Sequence, residues 1–279
     1  MSDLFTSESL AYWVCLRPTR ADPRQASLRE RTSLAHETHW DTRLRGGPSE
    51  TLALASGVRS VEDLCVLTDR PPRKSSTLKE FQESDRLAVL ALPPDGRFLE
   101  LAHRIESAMG AGSSAGIRIA SAEFLAAAAD FYKVRRPEVR ALAARPLRVR
   151  ESSTTELFGD YTPDTVVIRV WTRTAVRKQV TSFGTFLSTL CHEFCHHLDC
   201  DRFGFHRTPH TRGFYERTAI LYHHARGTPR KRLVWVRMPR GLWRIDWQKT
   251  RAEVNSQQSE TVTIQPGNDR SREEKLCSS

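Results

Sequence analysis

His192-Glu193-Phe194-Cys195-His196 is the stretch that decides how this chain is read. On a helix, residues four apart stand one turn from each other on the same face. Two imidazoles so placed can bind one Zn²⁺, and the glutamate between them can act as general base on a metal-activated water. Upstream, Phe183, Phe186, Leu187, Leu190 and Phe194 recur at helical spacing and form one apolar stripe. His192 and His196 fall on the other side, so the helix is expected to turn its apolar face to a core and its histidines to a cleft. Thr181 or Ser182 would cap its start, and Gly204 would mark its end. The plain alternative is a surface helix with incidental histidines.

A catalytic zinc site takes a third protein ligand and leaves a position for water. His206, His210 and Glu216 lie downstream. His210 follows Thr208-Pro209, which reads as the cap and first residue of a second helix carrying Phe214, Thr218, Leu221, Tyr222 and Ala225 on one side. Asp199 shares a helical face with His192; it either orients a ligand or is a solvated helix-end acid. His197 turns toward the apolar stripe and reads as a core residue. His223 and His224 read as residues favourable to the C-terminal end of a helix dipole. Cys191, Cys195 and Cys200 lack finger or ribbon spacing and read as small buried hydrophobes.

The motif, a short loop with Phe203-Gly204, and then Pro209-His210 followed by Phe214-Tyr215 resemble the SprT-like zinc metallopeptidases. The resemblance covers about residues 121 to 226. It implies His192, His196 and His210 as zinc ligands and Glu193 as base. Two departures stand out: Thr211 replaces the glycine that usually follows the third histidine, and no Cys-x-x-Cys ribbon follows. Glu216, twenty residues after His196, has a spacing similar to that of thermolysin-type gluzincins, and stays open as the alternative third ligand.

The chain has 279 residues, with 43 Lys and Arg against 33 Asp and Glu, for a formal net charge of +10. That excess is compatible with an anionic partner. No basic-then-apolar leader or long apolar run is seen, which predicts a cytoplasmic protein with no membrane contact. Scattered cysteines agree with a reducing compartment. Residues 1–96, with Arg- and Pro-rich stretches such as Arg70-Pro71-Pro72-Arg73-Lys74, are expected to form a variable or loosely ordered extension. His36-Glu37-Thr38-His39 has the wrong spacing for a second metal site.

From residue 97 the patterning is denser. Phe98–Ile105 predicts a helix ending by Gly110, Gly112–Gly116 a connector, and Ala122–Tyr132 an Ala-rich helix. Residues 146–150, 156–161 and 165–171 alternate as strands. Residues 164–171, just before the motif helix, are placed where a zincin has an edge strand that can align an extended peptide; an ordinary sheet strand is the alternative. No P-loop, dinucleotide fingerprint or G-x-S-x-G elbow competes.

Residues 227–251 mix basic residues with Trp235, Trp243 and Trp247. They read as a hairpin packed on the preceding domain or as a contact for DNA, which some SprT-like enzymes engage. Residues 252–279 are expected to be a disordered tail.

The expected fold is therefore α+β, with a minimal zincin-like domain at 97–226. The expected activity is zinc-dependent peptide hydrolysis on a protein or peptide substrate, with Tyr215 or Tyr161 as a donor to the developing oxyanion. The alternative is a catalytically idle zincin scaffold that binds nucleic acid or protein.

Overall fold

The computed structural model describes residues 10–16, 67–150, 153–206 and 210–251. The remainder of the expected N-terminal extension, the His36–His39 motif, Thr208-Pro209 and the tail at 252–279 lie outside the described residues. The architecture is α+β, a small sheet with helices. Two compact units divide the described residues: 10–16 together with 101–150 and 153–204, and 67–100 together with 205–206 and 210–251. Among the described residues no helix is long and apolar enough to cross a membrane.

The first unit holds the five-stranded sheet. Its strands are β1 (Leu10–Leu16), β2 (Glu138–Ala144), β3 (Leu147–Arg150), β4 (Ser153–Thr162) and β5 (Val167–Arg173). The order is β1-β4-β5-β2, and β3 pairs with the N-terminal half of β4. β1 runs antiparallel to β4 with a bulge between Tyr12 and Trp13, while β2 runs parallel to β5. The strand before the motif helix is thus paired on both sides, by β4 and β2. Of the two readings of 164–171 the edge strand is corrected and the ordinary sheet strand holds: β1, drawn from the supposed extension, takes an outer position instead.

A cross-strand pair stiffens the β4–β5 hairpin. Arg169 grips Asp160 with two hydrogen bonds of 2.7 and 2.6 Å, and the two residues face each other in register. Deeper in this unit Arg145 and Glu156 form a buried pair at 3.1 Å. The guanidinium also donates to Thr181 Oγ1 at 2.6 Å and stands 3.6 Å above the Phe158 ring. Burying a charge costs several kcal/mol, which the Glu156 counter-charge and the hydrogen bonds made by Nη1 and Nη2 offset.

Helix α1 spans Ser75–Arg86, α2 Arg97–Gly110 and α3 Ser114–Tyr132. The predicted connector is shorter than 112–116: Ser113 caps α3 by accepting from Gly116 N, so Gly116 lies inside the helix. Lys133 ends it in the left-handed region. α3 packs on β2, and helix α4 (Phe183–Leu198) lies across β4 and β5.

The second unit is built on helix α5 (Arg212–Arg226), which packs on α1, and on the hairpin β6 (Trp235–Arg237) and β7 (Trp243–Ile245). Gly213 allows the close approach, because a Cβ there would collide with the Ser84 carbonyl and stand 2.9 Å from those of Asp85 and Leu87. Arg217 is buried at 1% exposure and reaches the carbonyls of Ser84 (3.1 Å) and Leu87. A cation at the C-terminal end of α1 meets both the unsatisfied carbonyls and the negative end of the helix dipole. Asp85 accepts from the Arg212 backbone N–H at 2.9 Å and from its guanidinium, which ties the start of α5 to the same helix end. Residues 67–96 therefore belong to a built unit and are not a loose extension.

Candidate metal centre

Helix α4 forms where the apolar spacing predicts it. Ser182, not Thr181, caps it, with Oγ accepting from Thr185 N at 3.3 Å; such a cap contributes about 1 kcal/mol. Phe186, Leu187, Leu190 and Phe194 are fully buried, as the stripe requires. After Leu198 the helix passes into a π turn, Asp199–Phe203, closed by Gly204 at φ 73°. The burial differs from the expected amphipathic pattern: every residue from Thr189 to Leu198 is buried, His192 at 2% and His196 at 1%. The histidine face is enclosed by protein and does not look out on solvent.

Within that enclosure the two rings meet edge to face, with His192 Nε2 and His196 Nε2 3.1 Å apart. Two nitrogens on one tetrahedral zinc with bonds of about 2.0–2.1 Å stand roughly 3.3 Å apart. The spacing fits a shared metal ion. His192, His196 and His210 each offer a ligand atom, and the three atoms lie within 4.8 Å of one another, close enough to hold one metal ion.

Glu193 is wholly buried. Neither carboxylate oxygen has a hydrogen-bond partner among the described residues. Burial, and secondly the negative charge of Asp160, push its carboxyl well above the ordinary range. A buried acid with no partner is costly, and a cation held by the neighbouring histidines would relieve that cost. The side chain has its place because β4 carries glycine at 159. A Cβ there would stand 2.6 Å from Glu193 Oε1, 2.8 Å from its Cγ and 2.7 Å from Thr189 Cγ2. Glycine inside a strand is a signal of close approach, and this one could have been singled out from the sequence.

His197 is a core residue, as expected. Its Nε2 stands 2.7 Å from the Arg135 carbonyl and its Nδ1 2.9 Å from the Tyr161 hydroxyl. The arrangement makes Nε2–H the donor and Tyr161 O–H the donor to Nδ1, a neutral imidazole, and burial lowers its affinity for a proton. Tyr161 is fully buried with its hydroxyl on this ring, which corrects its reading as an oxyanion donor. Arg135 also binds Asp201 of the π turn through its backbone N–H (2.9 Å) and Nε (2.7 Å), fastening the end of α4 to the segment after α3. Asp199 is buried at 2%, not solvated, at the junction of helix and π turn. Cys191, Cys195 and Cys200 are buried and in no disulfide.

In the second unit Thr211 caps α5, with Oγ1 accepting from Phe214 N at 3.1 Å, and Ser84 Oγ is 2.9 Å from the same hydroxyl. The helix starts later than the Thr208-Pro209 reading has it, and His210 precedes the cap instead of lying in the first turn. Its ring stacks on Tyr215 at 5.8 Å with an 18° interplanar angle, and Nδ1 lies 3.4 Å from Asp69 Oδ2. Tyr215, the other oxyanion candidate, donates from its hydroxyl to the Leu67 carbonyl at 3.2 Å.

Glu216 is occupied elsewhere. Its two oxygens accept from Arg230 Nη2 and Trp235 Nε1, each at 3.2 Å, and it is not part of the histidine group. His206 is exposed. His223 Nδ1 is 2.8 Å from the Thr228 hydroxyl, and His224 lies edge-on to Phe98, so both pack in the last turn of α5, where burial lowers the proton affinity of His224. The hairpin is present as expected; Trp235 is bonded to Glu216, and Arg212 stands 4.4 Å over the Trp243 ring.

Asp69 is the residue that sequence reasoning missed. It lies in a Pro- and Arg-rich stretch with no periodic signal, 141 positions before the histidine it meets.

A scan against family models gives no match to this chain, and searches of the curated proteins and of the solved structures give none either.

Proposed function

We propose that the chain is a zinc-dependent metallopeptidase of the SprT-like, zincin type, with His192, His196 and His210 holding the metal and Glu193 as general base. The observation that carries the reading is the buried Glu193 carboxyl, without a hydrogen-bond partner among the described residues and set in sequence between two of three convergent histidines. Three imidazoles with no thiolate are a donor set suited to a catalytic zinc that keeps a position for substrate or water. Bound there, zinc supplies a Lewis acid that acidifies water and polarises a carbonyl.

The protein's own part follows from its residues. Glu193 takes a proton from the water attacking the scissile carbonyl carbon, and returns it to the amine nitrogen as the C–N bond breaks. Enclosure of α4 shields the carboxyl from solvent; burial and Asp160 raise its proton affinity, and a cation on the neighbouring histidines would lower it. Gly159 leaves the room that the side chain occupies. The resemblance of the motif region to SprT-like enzymes and the α+β architecture agree with this reading. The alternative is the same scaffold without turnover, binding protein or nucleic acid.

Glu193→Gln separates the two, because it keeps the volume but cannot take the proton. Measured on an unfolded protein such as casein, cleavage should fall at least about a hundredfold while bound zinc per chain stays at the wild-type level. Equal cleavage by wild type and variant would remove the catalytic reading.

A further inference from the structure

Resting on that metal-site reading, the geometry points to Asp69 as the positioning residue of the third ligand. We propose that its carboxylate holds the His210 ring by Nδ1, so that Nε2 is the nitrogen presented to the metal.

Every contact between Asp69 and His210 lies within the second unit. Asp69 Oδ2 is 3.4 Å from His210 Nδ1, and the Asp69 backbone N–H donates to the His210 carbonyl at 2.8 Å. The same residue thus bonds the histidine's main chain and sets a carboxylate oxygen 3.4 Å from its ring. The segment that carries Asp69 is itself anchored. Thr68 N donates to the Trp243 carbonyl at 2.9 Å, and Trp243 N donates back to Thr68 Oγ1 at 2.9 Å. Leu67 bridges to Arg244 of β7, and its carbonyl accepts from Tyr215, whose ring stacks on His210. Hairpin, segment 67–69 and the start of α5 therefore close on one ring.

His210 needs such support because it precedes the cap of α5, so no helical turn fixes it. His192 and His196, by contrast, are held within α4, whose last turn is continued by the π turn Asp199–Phe203. A carboxylate on the far nitrogen of a ligating imidazole fixes its tautomer and orientation and raises its basicity.

The test measures zinc affinity of the full chain by competition with a chromophoric chelator, together with ¹⁵N chemical shifts of the histidine rings in the metal-free protein. Asp69→Ala should weaken zinc binding by about 10–100-fold, and Asp69→Asn, which keeps size but not charge, by less. In the metal-free protein the His210 ring should carry its proton on Nδ1 in the wild type and move toward Nε2 in Asp69→Ala. If Asp69→Ala does not fold, Asp69→Asn decides, and an affinity within twofold of wild type overturns the proposal. Wild-type affinity in Asp69→Ala, while His210→Ala loses the metal, overturns the role of Asp69 and leaves the metal site standing. Failure of the wild type to bind zinc overturns both.

Discussion

Replacing Gly159 with alanine probes the fit between β4 and the motif helix without touching a ligand. The new Cβ would stand 2.6 Å from Glu193 Oε1, 2.8 Å from Glu193 Cγ and 2.7 Å from Thr189 Cγ2. Ordinary contacts begin near 3.4 Å, so the carboxyl would have to retreat by about 0.8 Å and the Thr189 methyl by about 0.7 Å. Around them the residues of α4 are fully buried, so the shift is transmitted, not absorbed. Overpacking of this kind costs about 1–3 kcal/mol. For a chain of this size that is a fall of roughly 2–12 °C in melting temperature. If Glu193 is the general base as proposed, a displacement approaching 1 Å there should lower kcat/KM by about a hundredfold. Zinc content should hold, since the histidine rings are not in the new contacts. Adding Thr189→Ala to Gly159→Ala removes one clash of the three, and should recover part of the stability but little of the activity. A Gly159→Ala protein that melts and cleaves as the wild type does would refute the placement of Glu193 against β4.

Two further outcomes test the supports of the site. Arg217→Ala leaves the Ser84 and Leu87 carbonyls without their charged donor and should destabilise by about 3 kcal/mol or more; a loss under about 1 kcal/mol in a thermal or urea melt would contradict the role given to this arginine. The second concerns pH. Burial alone would raise the Asp201 carboxyl, but hydrogen bonds from the Arg135 backbone and guanidinium outweigh it and hold it below its ordinary value of 3.8. The unfolded chain then takes up this proton first, so the stabilisation is present above about pH 4 and is lost as pH falls through the folded value. Between about pH 6 and pH 3 the melting temperature of Asp201→Asn should fall less than that of wild type; an equal fall would place the acid sensitivity elsewhere.

Helix α4 and its histidine pair were legible because three independent signals agree there: the stripe from Phe183 to Phe194, a capping residue at Thr181 or Ser182 and the glycine at 204. β4 and β5 were legible from alternation. β2 was not, because Glu138-Val139-Arg140-Ala141-Leu142-Ala143-Ala144 is rich in a residue that favours helices, and only pairing with β5 makes it a strand. β1 is invisible for a similar reason, its partner lying some 140 residues downstream. α1 buries chiefly Phe81 and Ser84, too thin a face to show periodicity, and its stability comes from packing on α5. His210 was found through its motif, but its distance from the helix was misjudged, since Thr208 and Thr211 are equally good caps on paper. Asp69 and the engagement of Glu216 by Arg230 and Trp235 depend on tertiary placement alone, which no local pattern encodes.

Zinc per chain, measured by elemental analysis in the wild type and in His192→Ala, His196→Ala and His210→Ala, tests the central claim most directly. The account predicts about one zinc per wild-type chain and its loss in each variant. Stoichiometric zinc that survives removal of both His192 and His196, or a wild-type protein that takes up none, would contradict it.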